Sequence, residues 1–242
     1  MSGPSPILPV QDLGQAYLGY GLEVDELQRA DRAARAATAR RRAYLAAKRG
    51  IDVVASVAAL IALGPVLLVT ALLIKLRDGG PVLFVQKRVG KDGRAFDFYK
   101  FRSMVVGAER LQADLLAFNH HDSGHTFKMR RDPRVTWIGR LIRRTSIDEL
   151  PQFLNVLKGD MTLVGPRPAL PREVARYDDR DRRRLEVTPG LTCLWQVNGR
   201  ADLPFDRQVE LDLEYIEGQG LLLDLEILAR TIPAVLSCRG AY

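Results

Sequence analysis

Residues 53–74 read VVASVAALIALGPVLLVTALLI, a run without a charge or a side-chain amide. As a helix it would extend about 33 Å at 1.5 Å per residue. That is close to the roughly 30 Å hydrocarbon core of a bilayer, and a wholly buried core helix fits the length less well. Gly64 and Pro65 stand at mid-run. A proline there removes a helical hydrogen bond and clashes with the preceding turn, so a kink or break is expected. Both flanks are basic, with Arg40, Arg41, Arg42, Lys48 and Arg49 before the run and Lys75 and Arg77 after it. Cations at both ends favour keeping both on the cytoplasmic side. A re-entrant helical hairpin broken at Gly64 and Pro65 satisfies both features. A straight span is the alternative.

Upstream, residues 1–21 have no clear period and read as poorly ordered. Residues 22–49 are Ala-rich and basic and read as a helix, either solvated or lying against an anionic membrane surface, where each cation is worth about 1 kcal/mol. Downstream, residues 82–89 and 95–101 have strand character, with Gly90-Lys91-Asp92-Gly93 as a hairpin loop. Helices are expected at 105–118, 136–144, from Ser146 or Asp148 to about 159, 171–186, 205–217 and 221–236, the last broken near Pro233. Residues 119–124 read as a loop, 161–164 as a short extended piece and 188–199 as irregular. Strands and helices do not alternate, so the fold class is α+β and mostly helical. The re-entrant membrane helical hairpin is followed by a compact cytoplasmic domain with a small β-hairpin or sheet. The expected division is 1–47, 48–77 and 78–242.

A net charge of +7 over 242 residues implies an anionic partner: acidic lipid, a nucleotide or nucleic acid. Nucleic acid has only the charge in its favour, since aromatics are few and zinc-finger spacing is absent, and it is not expected as a partner. Cys193 and Cys238 do not make a disulfide framework and read as reduced thiols. Residues 1–10 lack the pattern of a signal peptide. His120, His121 and His125 share a loop without a ligand pattern beyond Asp122. The chain has no Walker loop, GxGxxG, GxSxG or HExxH, which argues against the common hydrolases and dehydrogenases.

The chemistry is concentrated in residues 145–168, TSIDELPQFLNVLKGDMTLVGPRP. Asp148 and Glu149 are adjacent, so on a helix their side chains diverge by about 100°. They would not share one proton, and each needs its own role. Near a helix start a carboxylate stays ionised and can serve as nucleophile or metal ligand. Alternatively, Ser146 and Glu149 form a capping box and Asp148 is an ordinary first-turn residue. Pro151 leaves the register open between Ser146 and Asp148 as N-cap. Arg167 is framed by Pro166 and Pro168 and offers a guanidinium fork suited to phosphate; a stiff surface turn is the plainer alternative. Arg143 and Arg144 add positive charge. Lys100 and Arg102 share one face of a strand, with Phe101 on the other. Trp195, Gln196, Asn198 and Arg200 form a polar cluster suited to a base or sugar.

Taken together, these segments resemble the bacterial sugar transferase family, the monotopic polyprenyl-phosphate sugar-1-phosphate transferases. The resemblance runs from about Lys48 to Tyr242. It rests on the Pro-broken run, Gln86-Lys87-Arg88-Val89-Gly90, Tyr99-Lys100-Phe101-Arg102-Ser103-Met104 and Asp132-Pro133-Arg134-Val135-Thr136. It continues through Ser146-Ile147-Asp148-Glu149-Leu150-Pro151-Gln152, Asn155-Val156-Leu157-Lys158-Gly159-Asp160-Met161, Gly165-Pro166-Arg167-Pro168, Pro189-Gly190-Leu191-Thr192, Gln196-Val197-Asn198-Gly199-Arg200 and Gly240-Ala241-Tyr242. Gly64 stands where the family usually has a small polar residue, and Cys193 where a Gly is common.

The resemblance implies that a UDP-sugar gives its sugar 1-phosphate to Asp148 as nucleophile, with Glu149 (and Asp148) holding Mg²⁺ or Mn²⁺. UMP leaves, and polyprenyl (undecaprenyl) phosphate takes up the phosphosugar, as the initiating step of exopolysaccharide or other glycoconjugate assembly. Lys100, Arg102, Arg167, Gln196, Asn198 and Arg200 are then the candidate substrate contacts. Arg88, Arg143 and Arg144 are the candidate phosphate or lipid-headgroup contacts. The implied location is the bacterial cytoplasmic (inner) membrane with the catalytic domain on the cytoplasmic face, among inner-membrane lipids; a homo-oligomer is compatible with it. The competing reading is a catalytically inactive membrane scaffold of a polysaccharide assembly complex.

Overall fold

The computed structural model describes residues 24–111, 132–199 and 203–237. The expectations for residues 1–21, the loop at 119–124, the three histidines, Arg200, Cys238 and the terminal Gly-Ala-Tyr lie outside them. The chain forms two compact units, Met1–Ala47 and Lys48–Tyr242. In the first, residues 28–47 are helical and almost wholly exposed, and Arg35 pairs with Asp31 at 2.9 Å one turn away.

Helix α1 (Val24–Asp78) contains the whole apolar run and carries Pro65 inside it. The expected break at Gly64-Pro65 is thus not seen as an interruption of the helix. A proline costs one backbone hydrogen bond and commonly bends a helix without ending it. Only 11% of the most apolar window is buried, and Ile61 and Leu68 are 74% and 72% exposed. Among the described residues this is the one helix long and apolar enough to cross a membrane.

Both ends of the run are fastened to the same domain. Lys48 Nζ donates to the Val164 carbonyl at 2.9 Å and pairs with Asp224 at 2.8 Å. Arg49 donates to the carbonyls of Val156 and Leu157, at the end of α3 (Phe153–Lys158). The buried Asp52 accepts from Thr162 Oγ1 at 2.6 Å and from the Leu163 backbone at 2.9 Å. At the far end Ile74 packs with Phe101, Ile138 and Ile142. Asp78 receives the Arg102 guanidinium at 2.8 and 2.5 Å.

Strands β1 (Leu83–Val89) and β2 (Ala95–Phe101) form the expected antiparallel hairpin. Asp92, at φ 55°, makes the turn between them. The register sets Arg88 opposite Phe96, Gln86 opposite Phe98 and Phe84 opposite Lys100, so these six share one face. Beyond β2 the expected helix from residue 105 is not formed as far as residue 111. The backbone turns there, with Gly107 at φ 78°. A left-handed residue ends a helical path. Helix α2 (Trp137–Arg144) starts on Thr136, whose Oγ1 accepts from the Gly139 backbone at 2.8 Å. A Cβ at Gly139 would lie 1.8 Å from the Ser103 carbonyl oxygen, so only glycine lets α2 pack on the exit of β2.

A second, two-stranded parallel sheet joins β3 (Thr162–Val164) to β4 (Gly190–Thr192). It was not expected, since strands of three residues are too short to show alternation. Residues 171–186 do not make one helix. They divide into α4 (Pro171–Val174), α5 (Asp179–Arg182) and a 3-10 turn, because Tyr177 is buried and Asp178 caps a new start by accepting from the Asp181 backbone. The segment at 188–199 contains β4 and the short α6 (Leu194–Asn198). Helices α7 (Phe205–Glu217) and α8 (Leu221–Leu236) follow, and α8 continues through Pro233. The main core joins Phe98 of β2, Val156 of α3, Val164 of β3, Tyr215 of α7 and Ile227 of α8 with Met161 and Cys193 beside the second sheet.

Candidate active site

The acidic pair stands on a 3-10 turn (Ile147–Gln152), entered through Ser146 in the left-handed conformation, φ 57° and ψ 15°. For a non-glycine residue that backbone costs about 1–2 kcal/mol. The Ser146 side chain makes no cap, so the expected capping box is absent. The Glu149 carboxylate goes elsewhere: Oε1 accepts from Lys100 at 2.7 Å and from Arg167 Nη2 at 2.5 Å, and Oε2 from Arg167 Nη1 at 3.2 Å. With three residues per turn, the two acids point about 120° apart. Asp148 is buried, with Lys100 at 4.0 Å, and has no hydrogen-bond donor among the described residues.

Electrostatics divides the pair. Burial raises the Asp148 carboxyl to about 6; Lys100 opposes the shift and the Glu149 charge adds to it. Burial alone would also raise Glu149, but Arg167 and Lys100 outweigh it and hold that carboxyl well below the usual range. Burial lowers the Lys100 ammonium, against the pull of Glu149. Glu149 is therefore a permanently charged anchor. Asp148 is a carboxylate in a poorly solvated place, ionised near neutral pH, held by the more distant charge of Lys100 and by no hydrogen bond among the described residues. Such pairs, with their titrations pushed apart, are typical of functional sites.

The scaffold places each partner. Lys100 comes from β2, and Asn155 ties that strand to the acid-bearing turn. Its Nδ2 donates to the Asp97 carbonyl at 2.6 Å and its Oδ1 accepts from the Tyr99 backbone at 3.1 Å. Arg167 follows β3. Gly165 donates to the Thr192 carbonyl at 3.0 Å, and Gly190 to that of Pro166 at 2.8 Å. The two glycines touch so closely that a Cβ on Gly190 would lie 2.1 Å from the Gly165 nitrogen. Arg88 donates to the Pro168 carbonyl at 3.0 Å and to Gln86 at 3.1 Å, and stacks over Phe98. Burial and the neighbouring Arg167 lower its guanidinium to about 10. Arg143 Nε donates to Ser103 Oγ at 2.9 Å, and burial lowers its titration too.

A cavity of about 1190 Å³ brings together Arg88, Lys100, Arg102, Arg143, Asp148, Glu149, Arg167 and Gln196. Arg102 is largely spent on Asp78 and the Pro81 carbonyl, so it fastens the end of the apolar helix. Gln196 accepts from Cys193 Sγ at 3.1 Å. Arg144 is exposed on α2, away from the cavity. Asn198 also stands outside it, donating to the Leu194 carbonyl and accepting from Arg230. Sequence reasoning did not single out Ser103, Asp132, Arg134, Thr192 and Thr231, which line the same cavity. Gln86 also lines it, and its place two residues before Arg88 on a strand would have flagged it.

Among the described residues no three His, Cys, Asp or Glu cluster as a metal cage. A hard divalent ion does not need one. Mg²⁺ is usually held by one or two carboxylates together with substrate phosphates. Asp148 fits that role, since neither of its oxygens accepts a hydrogen bond among the described residues and Lys100 stands 4.0 Å away, and Glu149 fits it only by releasing a cation from one of its oxygens.

A sequence profile described as bacterial sugar transferase matches residues 43–238. The chain is 47% identical over 199 residues to the galactosyl transferase CpsE of Streptococcus agalactiae, covering 82% of this chain and 44% of that protein. It is 40% identical to the exopolysaccharide production protein ExoY of Sinorhizobium fredii, covering 81% of this chain and 88% of that protein. It is 44% identical to the undecaprenyl-phosphate galactose phosphotransferase of Salmonella typhimurium, covering 81% of this chain and 41% of that protein. The chain thus spans less than half the length of the first and third of these and most of the second. The profile takes in the apolar run, the acid-bearing turn and the arginine loop that meet at one cavity, and the chain belongs to the bacterial sugar transferase family.

Proposed function

We propose that the protein is a phosphoglycosyl transferase that moves sugar 1-phosphate from a UDP-sugar to polyprenyl (undecaprenyl) phosphate, releasing UMP. The step would initiate exopolysaccharide or other glycoconjugate assembly. The observation that carries this reading is the buried Asp148, which accepts no hydrogen bond among the described residues, beside a Glu149 clamped by Lys100 and Arg167. Asp148 Oδ attacks the β-phosphorus of the donor. The bond from that phosphorus to the bridging oxygen breaks, and UMP leaves with the electron pair. A phosphate oxygen of the polyprenyl phosphate then attacks the same phosphorus and frees Asp148. Dividing the transfer through a carboxylate nucleophile gives two easier steps. Arg167, Lys100, Arg88 and Arg143 supply preorganised positive charge against the developing negative charge.

Mg²⁺ or Mn²⁺, held by Asp148 and Glu149 with the diphosphate, would add charge neutralisation at the leaving phosphate. The apolar run would enter the inner membrane from the cytoplasmic face as a re-entrant hairpin bent at Pro65. Support comes from the anchoring of both ends, at Asp52 and at Asp78, to one domain. Cysteines introduced at Ala30 and Lys91 should both label from the cytoplasmic side only; labelling of one from the periplasm would establish a span. The chemistry is tested by mixing enzyme with a panel of UDP-sugars and no lipid. UMP up to about one equivalent per enzyme is expected with one or more of them. UMP formation only with polyprenyl phosphate would replace this mechanism by direct transfer.

A further inference from the structure

We infer that the gap between the first half of the apolar run and the C-terminal half of α8 seats the hydrocarbon chain of the lipid acceptor. The inference rests on the transfer reading above and adds the place where the acceptor is recognised. Helix α8 begins fastened to the start of the run: Asp224 pairs with Lys48 at 2.8 Å and accepts from Tyr215 Oη at 2.8 Å. One turn on, Ile227 is fully buried in the core, with Leu228 and Ala55 packed against the same cluster. Further on, Ala59 of the run and Ile232, Val235 and Leu236 of α8 line the catalytic cavity. Lys48 to Ala59 and Asp224 to Val235 are equal steps along two helices, about 16 Å each. Residues of both helices thus line the same cavity about three turns beyond the ion pair that joins their starts.

This stretch of the lining is chemically unlike the acids and cations of the site. Ala59, Ile232, Val235 and Leu236 are alkyl, and Ile232 and Leu236 are 64% and 76% exposed. Two hydroxyls of the lining, those of Thr192 and Thr231, bond to each other at 2.8 Å. A nucleotide base or a sugar would leave its donors and acceptors unmatched there. The same cavity is also lined by Lys100, Arg167 and Asp148. One substrate combines an anion with a long alkyl chain, and an isoprenoid phosphate matches both parts of the lining at once. Leu222, by contrast, is 85% exposed on the same helix and does not line the cavity.

The test uses the full chain in lipid nanodiscs, with Ile232→Arg against Leu222→Arg. Two rates are read in each variant: UMP release without lipid, and discharge of the phosphosugar enzyme to undecaprenyl phosphate. In Ile232→Arg the ratio of discharge to release is expected to fall by about tenfold or more, and in Leu222→Arg to stay near the wild-type ratio. Equal losses in both rates, or the same fall in Leu222→Arg, would overturn the inference. If Ile232→Arg does not fold, Ile232→Ser is read in the same way. Independently, a benzophenone-bearing farnesyl phosphate should label the peptide spanning 221–236, with protection by undecaprenyl phosphate. Equal protection by phosphatidylglycerol would make this stretch a seat for bulk lipid and overturn the assignment. Absence of UMP release in the wild type would instead refute the transfer reading itself.

Discussion

Removing the guanidinium from Arg167 should destabilise the fold and the donor step together. Glu149 is held by two cations, and Arg167 contributes a bidentate fork to it at 2.5 and 3.2 Å. Stripping one partner from a buried ion pair costs about 3–5 kcal/mol. Lys100 remains at 2.7 Å, and the two side chains are 19% and 21% exposed, so solvent screens part of the loss. A cost of about 2–3 kcal/mol is therefore expected for Arg167→Ala. At 2–4 °C per kcal/mol for a domain of this size, Tm should fall by roughly 4–12 °C.

The sign with pH follows from Glu149. Its folded carboxyl titrates well below the ordinary value of 4.5, so its contribution is complete above about pH 4.5 and is lost as pH falls toward the folded value. The Tm gap between wild type and Arg167→Ala should be full at pH 7 and begin to narrow below about pH 4.5. Arg167→Lys keeps a charge without the fork and should fall between the two. Thermal melts in detergent from pH 3.5 to 7, with UMP release on the same samples, provide the assay. Unchanged Tm and unchanged UMP release in Arg167→Ala at pH 7 would refute the role of the fork.

The rate of UMP release should rise about tenfold per pH unit below about 6 and level off above it, since Asp148 titrates near 6 and must be ionised to attack; a rate that falls as pH rises through 6 would assign Asp148 the role of an acid. Excess EDTA should abolish UMP release and Mg²⁺ or Mn²⁺ should restore it, whereas full activity in EDTA would remove the metal. Gly190→Ala should cost about 3 kcal/mol or more in thermal melts, because its Cβ would meet the Gly165 backbone at 2.1 Å. Gly64→Ala, with nothing within 4 Å, should not lower Tm.

Much of the site is legible in the sequence because its parts are rigid and local. Lys100 comes from a strand whose alternation is plain, and Arg167 from a loop whose prolines fix its path. Both pair with Glu149, a contact that their reading as substrate contacts did not include. What failed depended on contacts between distant residues. Ser146 and Glu149 have the spacing of a capping box, but a buried carboxylate gains more from two cations than from one backbone N–H, and Ser146 turns left-handed. Arg102 looked like a substrate contact until Asp78, at the end of the apolar helix, took it. Asn198 was consumed by Arg230 from α8, and Arg144 turned to the outside of α2. The pairing of β3 with β4 depends on two glycines 25 positions apart in close backbone contact, which no local pattern shows.

The most direct measurement is mass spectrometry of the enzyme after incubation with its UDP-sugar in the absence of lipid. A sugar-phosphate adduct is expected on the peptide containing Asp148. It should be discharged by undecaprenyl phosphate and be absent in Asp148→Asn, which keeps the shape of the side chain and loses the anionic oxygen. An adduct on another residue, or wild-type turnover by Asp148→Asn, would contradict the assignment of Asp148 as nucleophile.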